Sequence, residues 1–119
     1  MNDPLADLRR QIDALDEEVV RLLNERARCA LELGRRKEEL GVPIYQPARE
    51  REVLEHVMAV NGGPLDAHAI RRLFERIIDE ARRLERRADE RRLAEKTGRV
   101  DRAPADAEGP GPQAPEQSG

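Results

Sequence analysis

The fold of this chain can be read first from residues 3–41, DPLADLRRQIDALDEEVVRLLNERARCALELGRRKEELG. Apolar residues recur here at alternating steps of three and four, the heptad pattern of a helix that packs along a seam. The seam comprises Leu5, Leu8, Ile12, Leu15, Val19, Leu22, Arg26, Cys29, Leu33, Arg36 and Leu40. Asp3 and Pro4 form a typical helix start, and Gly41 a typical stop. The pattern predicts one helix from Pro4 to Leu40, roughly 55 Å long.

A helix of this length cannot be covered by the rest of one small chain. A compact domain of about 90 residues has a radius of gyration of only about 12 Å. The apolar seam of the long helix would therefore be wet over much of its length. A second copy of the chain would cover it, so we predict an all-α, three-helix chain that forms an intertwined homodimer.

Two further helices follow the long one. The second is predicted to begin at Pro47, after the weak cap Gln46, and to stop at the Asn61-Gly62-Gly63-Pro64 breaker. Its inward residues are Val53, Leu54, Val57 and Met58. The third is predicted to be capped by Asp66 and to continue to about Lys96, where Gly98 can close it. Its apolar stripe is Ile70, Leu73, Phe74, Ile77, Ile78, Ala81 and Leu84.

These patterns divide the chain into a helical domain at 1–98 and a tail at 99–119. The tail is rich in Pro, Gly and Ala and has almost no apolar content, so we expect it to be disordered.

Composition excludes several classes of function. The net charge is -3 and aromatic residues make up 2% of the chain, so neither a basic field nor a stacking surface for nucleic acid is expected. No apolar run is long enough to span a membrane, and the acidic start lacks a signal core, so we expect a cytoplasmic protein. Cys29 is the single cysteine, which excludes an internal disulfide and a thiolate metal cluster. On the seam we expect it to be a small buried hydrophobe.

Charged residues occupy positions where apolar ones are expected. Arg26 lies on the heptad seam, and Lys37, 11 residues later, lies on the same face with its Cα roughly 16 Å away. In an antiparallel dimer, Arg9 of one chain would approach the middle of the partner's long helix. Glu85 borders the apolar stripe of the third helix. These positions suggest a cationic pocket for a small polyanion.

The first turn of the second helix adds Arg49 and Glu50 near a positive helix terminus, which favours an anion. The alternative for each charge is a solvated surface position, which we expect for Arg82 and Arg83. Glu85 could then be a surface partner of Arg82. Neither His56 nor His68 belongs to a set with metal-ligand spacing, so no metal site is predicted.

The segments LRRQIDALDEEVVRLLNERARCALELGRRKEELGVPIYQPAREREVL and LDAHAIRRLFERII resemble the all-helical (AroQ-type) chorismate mutases. The shared elements include I-D-x-L-D, L-L-x-E-R and G-x-x-K, in the family's order and spacing, and PIYQPARE matches the family's P-x-x-D-x-x-R-E run except at Gln46. The resemblance covers about residues 5–88. It implies an intertwined dimer that rearranges chorismate to prephenate without a cofactor, metal or nucleophile, in the biosynthesis of phenylalanine and tyrosine.

The resemblance also implies roles for individual residues. Arg26, with Arg9 from the partner subunit, would clamp the substrate carboxylates, for which guanidinium forks are suited. Lys37 would contact the ether oxygen and a carboxylate. Arg49 would support the pocket, and Glu50 would accept a hydrogen bond from the ring hydroxyl. Arg26, Lys37 and Glu85 are the implied catalytic residues.

Three positions depart from the family pattern. Gln46 stands where an Asp is common, and Ala81 replaces a hydroxyl residue that contacts a substrate carboxylate in some members. Glu85 occupies a position that is Gln or Glu in the family and that donates to the ether oxygen. An ionised carboxylate cannot donate. We therefore expect Glu85 to be protonated in the productive complex, with burial and the nearby substrate anion raising its pKa and Lys37 opposing the rise.

Two other functions fit the same residues. An isochorismate pyruvate-lyase would act on a nearly identical dianion by another pericyclic reaction. A non-catalytic helical dimer, such as a regulatory subunit, would use the same fold with no turnover.

Overall fold

The computed structural model describes residues 3–98, which form three helices and contain no strand. Helix α1 spans Ala6–Leu40, α2 spans Pro47–Val60 and α3 spans Ala67–Lys96. The all-α, three-helix prediction is confirmed. The chain divides into two units between Ala88 and Asp89, and all the contacts between helices given below lie in the first unit. The predicted disordered tail at 99–119 lies outside the described residues.

Helix α1 begins two residues later than predicted. The Asp3 carboxylate accepts a hydrogen bond from the backbone N–H of Leu5 at 2.9 Å, and the Asp3 carbonyl accepts one from Ala6 at 3.0 Å. Asp3 thus closes a turn over Pro4, and the helix starts only after that turn. The other end is as predicted, because Gly41 is left-handed with φ 72° and donates to the Glu38 carbonyl.

Helices α2 and α3 differ in how their N-termini are capped. Gln46 precedes α2 and makes no side-chain capping bond, as expected of a weak cap. The Asp66 carboxylate accepts a hydrogen bond from the backbone N–H of Ala69 at 2.7 Å, which confirms it as the cap of α3. Between these helices the chain leaves α2 at Val60, immediately before the predicted breaker.

A single copy of the chain buries few apolar side chains. Leu54, at 7% exposure, is the one hydrophobic residue of residues 3–98 that is buried. The apolar residues of the α1 seam are 49% to 77% exposed: Leu5, Leu8, Ile12, Leu15, Val19, Leu22, Leu33 and Leu40. Leu73 of the α3 stripe is also exposed, at 53%. The long helix therefore presents a wet apolar face, as its length predicts.

Cys29 is exposed in the single chain, so the prediction of a buried cysteine is wrong for this structure. The reason is that a single chain leaves most of the α1 seam uncovered, and Cys29 lies on the wall of an open cavity that α1 forms with α2 and α3. None of the helices in the described part of the chain is long and apolar enough to cross a membrane.

Candidate active site

A cavity of about 270 Å³ lies where α1, the α1–α2 connection, α2 and α3 meet. Of the eight site residues predicted from the sequence, seven line it: Arg26, Lys37, Gln46, Arg49, Glu50, Ala81 and Glu85. The eighth, Arg9, does not. Four cationic side chains and two carboxylic acids line the cavity, so it is built to hold negative charge.

Helix α3 approaches α1 closely at Gly34, the one buried residue of α1. A Cβ atom on Gly34 would lie 3.3 Å from Glu85 Cγ and 3.6 Å from Glu85 Oε2. A larger side chain at this position would therefore press on the carboxyl group. The glycine of the G-x-x-K motif lets α3 bring Glu85 against α1, one turn before Lys37.

Lys37 and Glu85 form the buried centre of the cavity. Their Nζ and Oε2 atoms are 3.8 Å apart, and the two side chains are only 13% and 8% exposed. The Lys37 ammonium also donates to the backbone carbonyl of Ile44 at 3.4 Å, in the connection before α2. This second contact holds the cation in place at the cavity wall.

Burial raises the pKa of Glu85 above its ordinary value. The positive charges of Lys37, Arg26 and Arg82 oppose the rise, in that order, but do not cancel it. The direction agrees with the expectation from the sequence, and Glu85 is not a surface residue, since it is 7% exposed. A carboxyl group with a raised pKa can remain protonated and donate a hydrogen bond.

Arg82 was expected on a solvated face, and this expectation is wrong. Its guanidinium lines the cavity and pairs with Glu50, the Nη2 atom lying 2.8 Å from Oε2 and 2.9 Å from Oε1. The sequence does contain a signal for this position. Ile78, Arg82 and Glu85 are spaced by four and three residues and so share one face of α3.

The remaining predicted residues differ in how firmly they are held. Arg49 is exposed and pairs with Glu52 at 3.3 Å, which leaves its charge at the open side of the cavity. Gln46 and Ala81 are both half-buried in the cavity wall. Arg26, also half-buried, extends the cationic lining along α1.

Arg9 lies 17 residues before Arg26 on the same helix, which places the two Cα atoms roughly 25 Å apart. Its side chain is 68% exposed and approaches Asp3 at 3.7 Å. Within one chain it cannot reach the cavity.

No group of three or more His, Cys, Asp or Glu side chains in residues 3–98 has the arrangement of a metal site.

Comparison with known proteins gives a consistent result. Residues 8–86 match the protein family described as chorismate mutase type II. The chain is 46% identical over 88 residues to the bifunctional chorismate mutase/prephenate dehydratase of Pseudomonas aeruginosa, covering 70% of this chain and 24% of that protein. It is 38% identical over 89 residues to the enzyme of the same name from Aquifex aeolicus, covering 71% and 25%. The chain thus spans about a quarter of the length of these curated relatives.

Solved structures match it over nearly their whole length. Form II of chorismate mutase from Thermus thermophilus superposes with a TM-score of 0.70 at 41% identity, covering 71% of this chain and 97% of that one. Chorismate mutase from Helicobacter pylori in complex with prephenate superposes with a TM-score of 0.67 at 31% identity, covering 72% and 93%. The family match includes α1, α2 and the cavity-lining part of α3, and on this evidence the chain belongs to the chorismate mutase type II family.

Proposed function

We propose that this chain is a chorismate mutase that converts chorismate to prephenate in phenylalanine and tyrosine biosynthesis. The observation that carries the proposal is the buried Lys37–Glu85 pair in a cation-lined cavity, in a chain of this family. Chorismate carries two carboxylates, an ether oxygen and a ring hydroxyl, and its rearrangement is intramolecular. The protein therefore has to supply a compact substrate conformation and fixed charges.

The cavity residues offer groups for each part of this substrate. Arg26 and the partner's Arg9 would hold the carboxylates. Lys37 would lie at the ether oxygen, where negative charge grows as the C–O bond breaks, and would favour the transition state over the ground state. Protonated Glu85 would donate to the same oxygen. Glu50 would accept from the ring hydroxyl, while Arg49 and Gln46 border the open side.

A homodimer is part of this proposal. The exposed seam of α1 and the single buried hydrophobic residue in the described chain support it, since so small a core is marginal for a chain of this size. Pairing of two α1 helices would cover the seam, and an antiparallel arrangement would bring the partner's Arg9 to the otherwise incomplete cavity. The cytoplasmic location expected from the sequence stays a prediction.

The test is a spectroscopic assay of chorismate disappearance by the purified protein, with identification of the product. Prephenate is expected. Pyruvate released from isochorismate, with chorismate unchanged, would indicate the lyase. The assay covers about pH 5 to 8, a range that brackets the ordinary pKa of His and lies above that of Glu. If neither chorismate nor isochorismate were turned over in this range, the proposal that the chain is an enzyme would be wrong.

Two variants separate an enzyme from a non-catalytic dimer. Arg26→Ala and Lys37→Ala are expected to lower kcat/KM by at least about 100-fold, as for loss of an oxyanion-stabilising group. Sedimentation should show that the dimer persists. The matched control is Arg35→Ala, because Arg35 is an exposed cation near Lys37 that pairs with Glu32 outside the cavity lining. Turnover that is unaltered in both cavity variants would contradict the roles proposed for these cations, whereas a parent chain that forms the dimer and shows no turnover would support the non-catalytic dimer.

A further inference from the structure

Arg82 is the one cavity cation for which the resemblance implies no role. We propose that Arg82 is a positioning residue, which orients the Glu50 carboxylate so that it accepts the ring hydroxyl of the substrate. This inference rests on the proposed function and adds a residue that helps to determine substrate affinity.

The geometry of the pair is that of a guanidinium edge against a carboxylate. Arg82 Nη2 lies 2.9 Å from Glu50 Oε1 and 2.8 Å from Oε2, and Nε lies 3.2 Å from Oε2. Both carboxylate oxygens are therefore engaged from one side. Oε1 accepts only one of these bonds, so it keeps a lone pair that can accept a further hydrogen bond from a hydroxyl group. The pair joins α3 to the first turn of α2 across 32 residues of sequence.

The guanidinium is itself held in orientation by two neighbours. Its central carbon lies 5.1 Å from the centre of the Tyr45 ring, in the α1–α2 connection. A second carboxylate, that of Asp79, lies 3.5 Å from Nη2 one turn earlier on α3. The Arg82 and Glu50 side chains are 25% and 27% exposed, so the pair is largely shielded from solvent. These contacts leave Arg82 few rotamers, which is the property that a positioning residue needs.

Charge gives a second reason for the pair. Glu50 is a carboxylate in a cavity proposed to bind a dianion, and an uncompensated negative charge there would repel the substrate. Arg82 compensates that charge while the carboxylate remains an acceptor. Because the ring hydroxyl itself takes part in no bond that forms or breaks, its hydrogen bond to Glu50 should be kept in both the ground state and the transition state. Losing it should therefore raise KM and leave kcat nearly unchanged.

A direct contact between Arg82 and a substrate carboxylate is the competing explanation, since Ala81 beside it lacks the hydroxyl of some family members. A double-mutant cycle on the full chain separates the two. The variants are Arg82→Gln, Glu50→Gln and their combination, with Arg83→Gln as the control. Arg83 follows Arg82 directly but is exposed and does not line the cavity.

We expect Arg82→Gln to raise KM for chorismate about tenfold, the scale of one charge-assisted hydrogen bond, with kcat within about threefold of the parent. The combined variant should have the KM of Glu50→Gln alone, because Arg82 acts through Glu50. Additive effects in the combined variant would overturn the positioning role. An unchanged KM in Arg82→Gln, even with a lowered urea midpoint, would show that the pair serves stability alone and would also overturn it.

Two further results keep the inference testable. Should Arg82→Gln fail to fold, Arg82→Lys can be measured instead, because it retains a cation but cannot form the bidentate guanidinium–carboxylate contact. The KM of Arg82→Lys should still rise, and an unchanged KM would contradict the inference. Absence of turnover in the unaltered chain would overturn the proposed function and this inference with it. Normal turnover of the parent with an unaltered KM in the Arg82 variants would overturn the inference alone.

Discussion

The protonation of Glu85 gives the sharpest prediction. The perturbation is Glu85→Gln, which replaces a buried acid of raised pKa by an amide that donates a hydrogen bond at every pH. In the parent chain, kcat should fall as the pH rises through the Glu85 pKa, because only the protonated acid can donate to the ether oxygen. In the variant this fall should be absent.

The magnitude follows from the dimensions of the site. Lys37 Nζ and Glu85 Oε2 are 3.8 Å apart, which sets the distance scale between charges in this cavity. At about 4 Å and an effective dielectric constant of about 20, an ionised Glu85 would repel a full negative charge on the ether oxygen by about 4 kcal/mol. That is roughly a thousandfold in rate. The ionised enzyme is then effectively inactive, so kcat should fall about tenfold per pH unit above the pKa.

Charged groups from all three helices surround Glu85 and must be considered in such a profile. Those on the cavity lining are Arg26, Lys37, Arg49, Glu50 and Arg82. The descending limb is therefore assigned to Glu85 by its loss in the glutamine variant.

The assay is kcat against pH, measured at saturating chorismate, for the parent, Glu85→Gln and the control Glu75→Gln. Glu75 is an exposed acid on the same helix that pairs with Arg71 at 3.2 Å. The control should keep the parent profile. If Glu85→Gln showed the same descending limb as the parent, the reasoning would be refuted.

The free energy of unfolding should also fall as the pH rises, as kcat does. Because folding raises the pKa of Glu85, the folded chain binds this proton more tightly than the unfolded chain does. The contribution is fully present below the unfolded pKa of about 4.3 and is lost as the pH rises through the folded pKa. As the pH rises across that window, the free energy of unfolding measured with urea should therefore fall for the parent relative to Glu85→Gln, whose amide does not titrate.

Three further predictions concern the framework of the site. Gly34→Ala gains about 1 kcal/mol of helix propensity, but its Cβ atom would lie 3.3 Å from Glu85 Cγ and crowd that side chain. We therefore expect kcat/KM to fall about 100-fold while the urea midpoint changes little. Kinetics like those of the parent would contradict this. Leu15→Glu charges a seam position that is 63% exposed in one chain and should weaken the dimer by at least about 2 kcal/mol in sedimentation, whereas the exposed Glu17→Gln should not. Asp66→Ala removes the α3 cap and should lower the free energy of unfolding by about 1 kcal/mol; no change in urea midpoint would show that the 2.7 Å bond contributes nothing.

Much of the fold could be predicted because helical order is local. Steps of three and four along α1, the left-handed glycine at its end and the Asp66 cap each depend on residues within one or two turns. The start of α1 was misplaced because Asp3 can either cap a helix or close a turn, and the two look alike in sequence. The family motifs supplied residues of the cavity that periodicity could not assign.

The sequence by itself determined the three helices, the apolar seam of α1 and the presence of cations at unusual positions. The tertiary structure alone decided which charges are buried. Glu85 lies at the border of its stripe, and its burial depends on how closely α1 approaches at Gly34. Arg82 is in the cavity because Glu50, 32 residues away, meets it there. The physical reason is that periodicity assigns a side chain to a face of its own helix, whereas burial and pKa depend on what another helix places opposite that face.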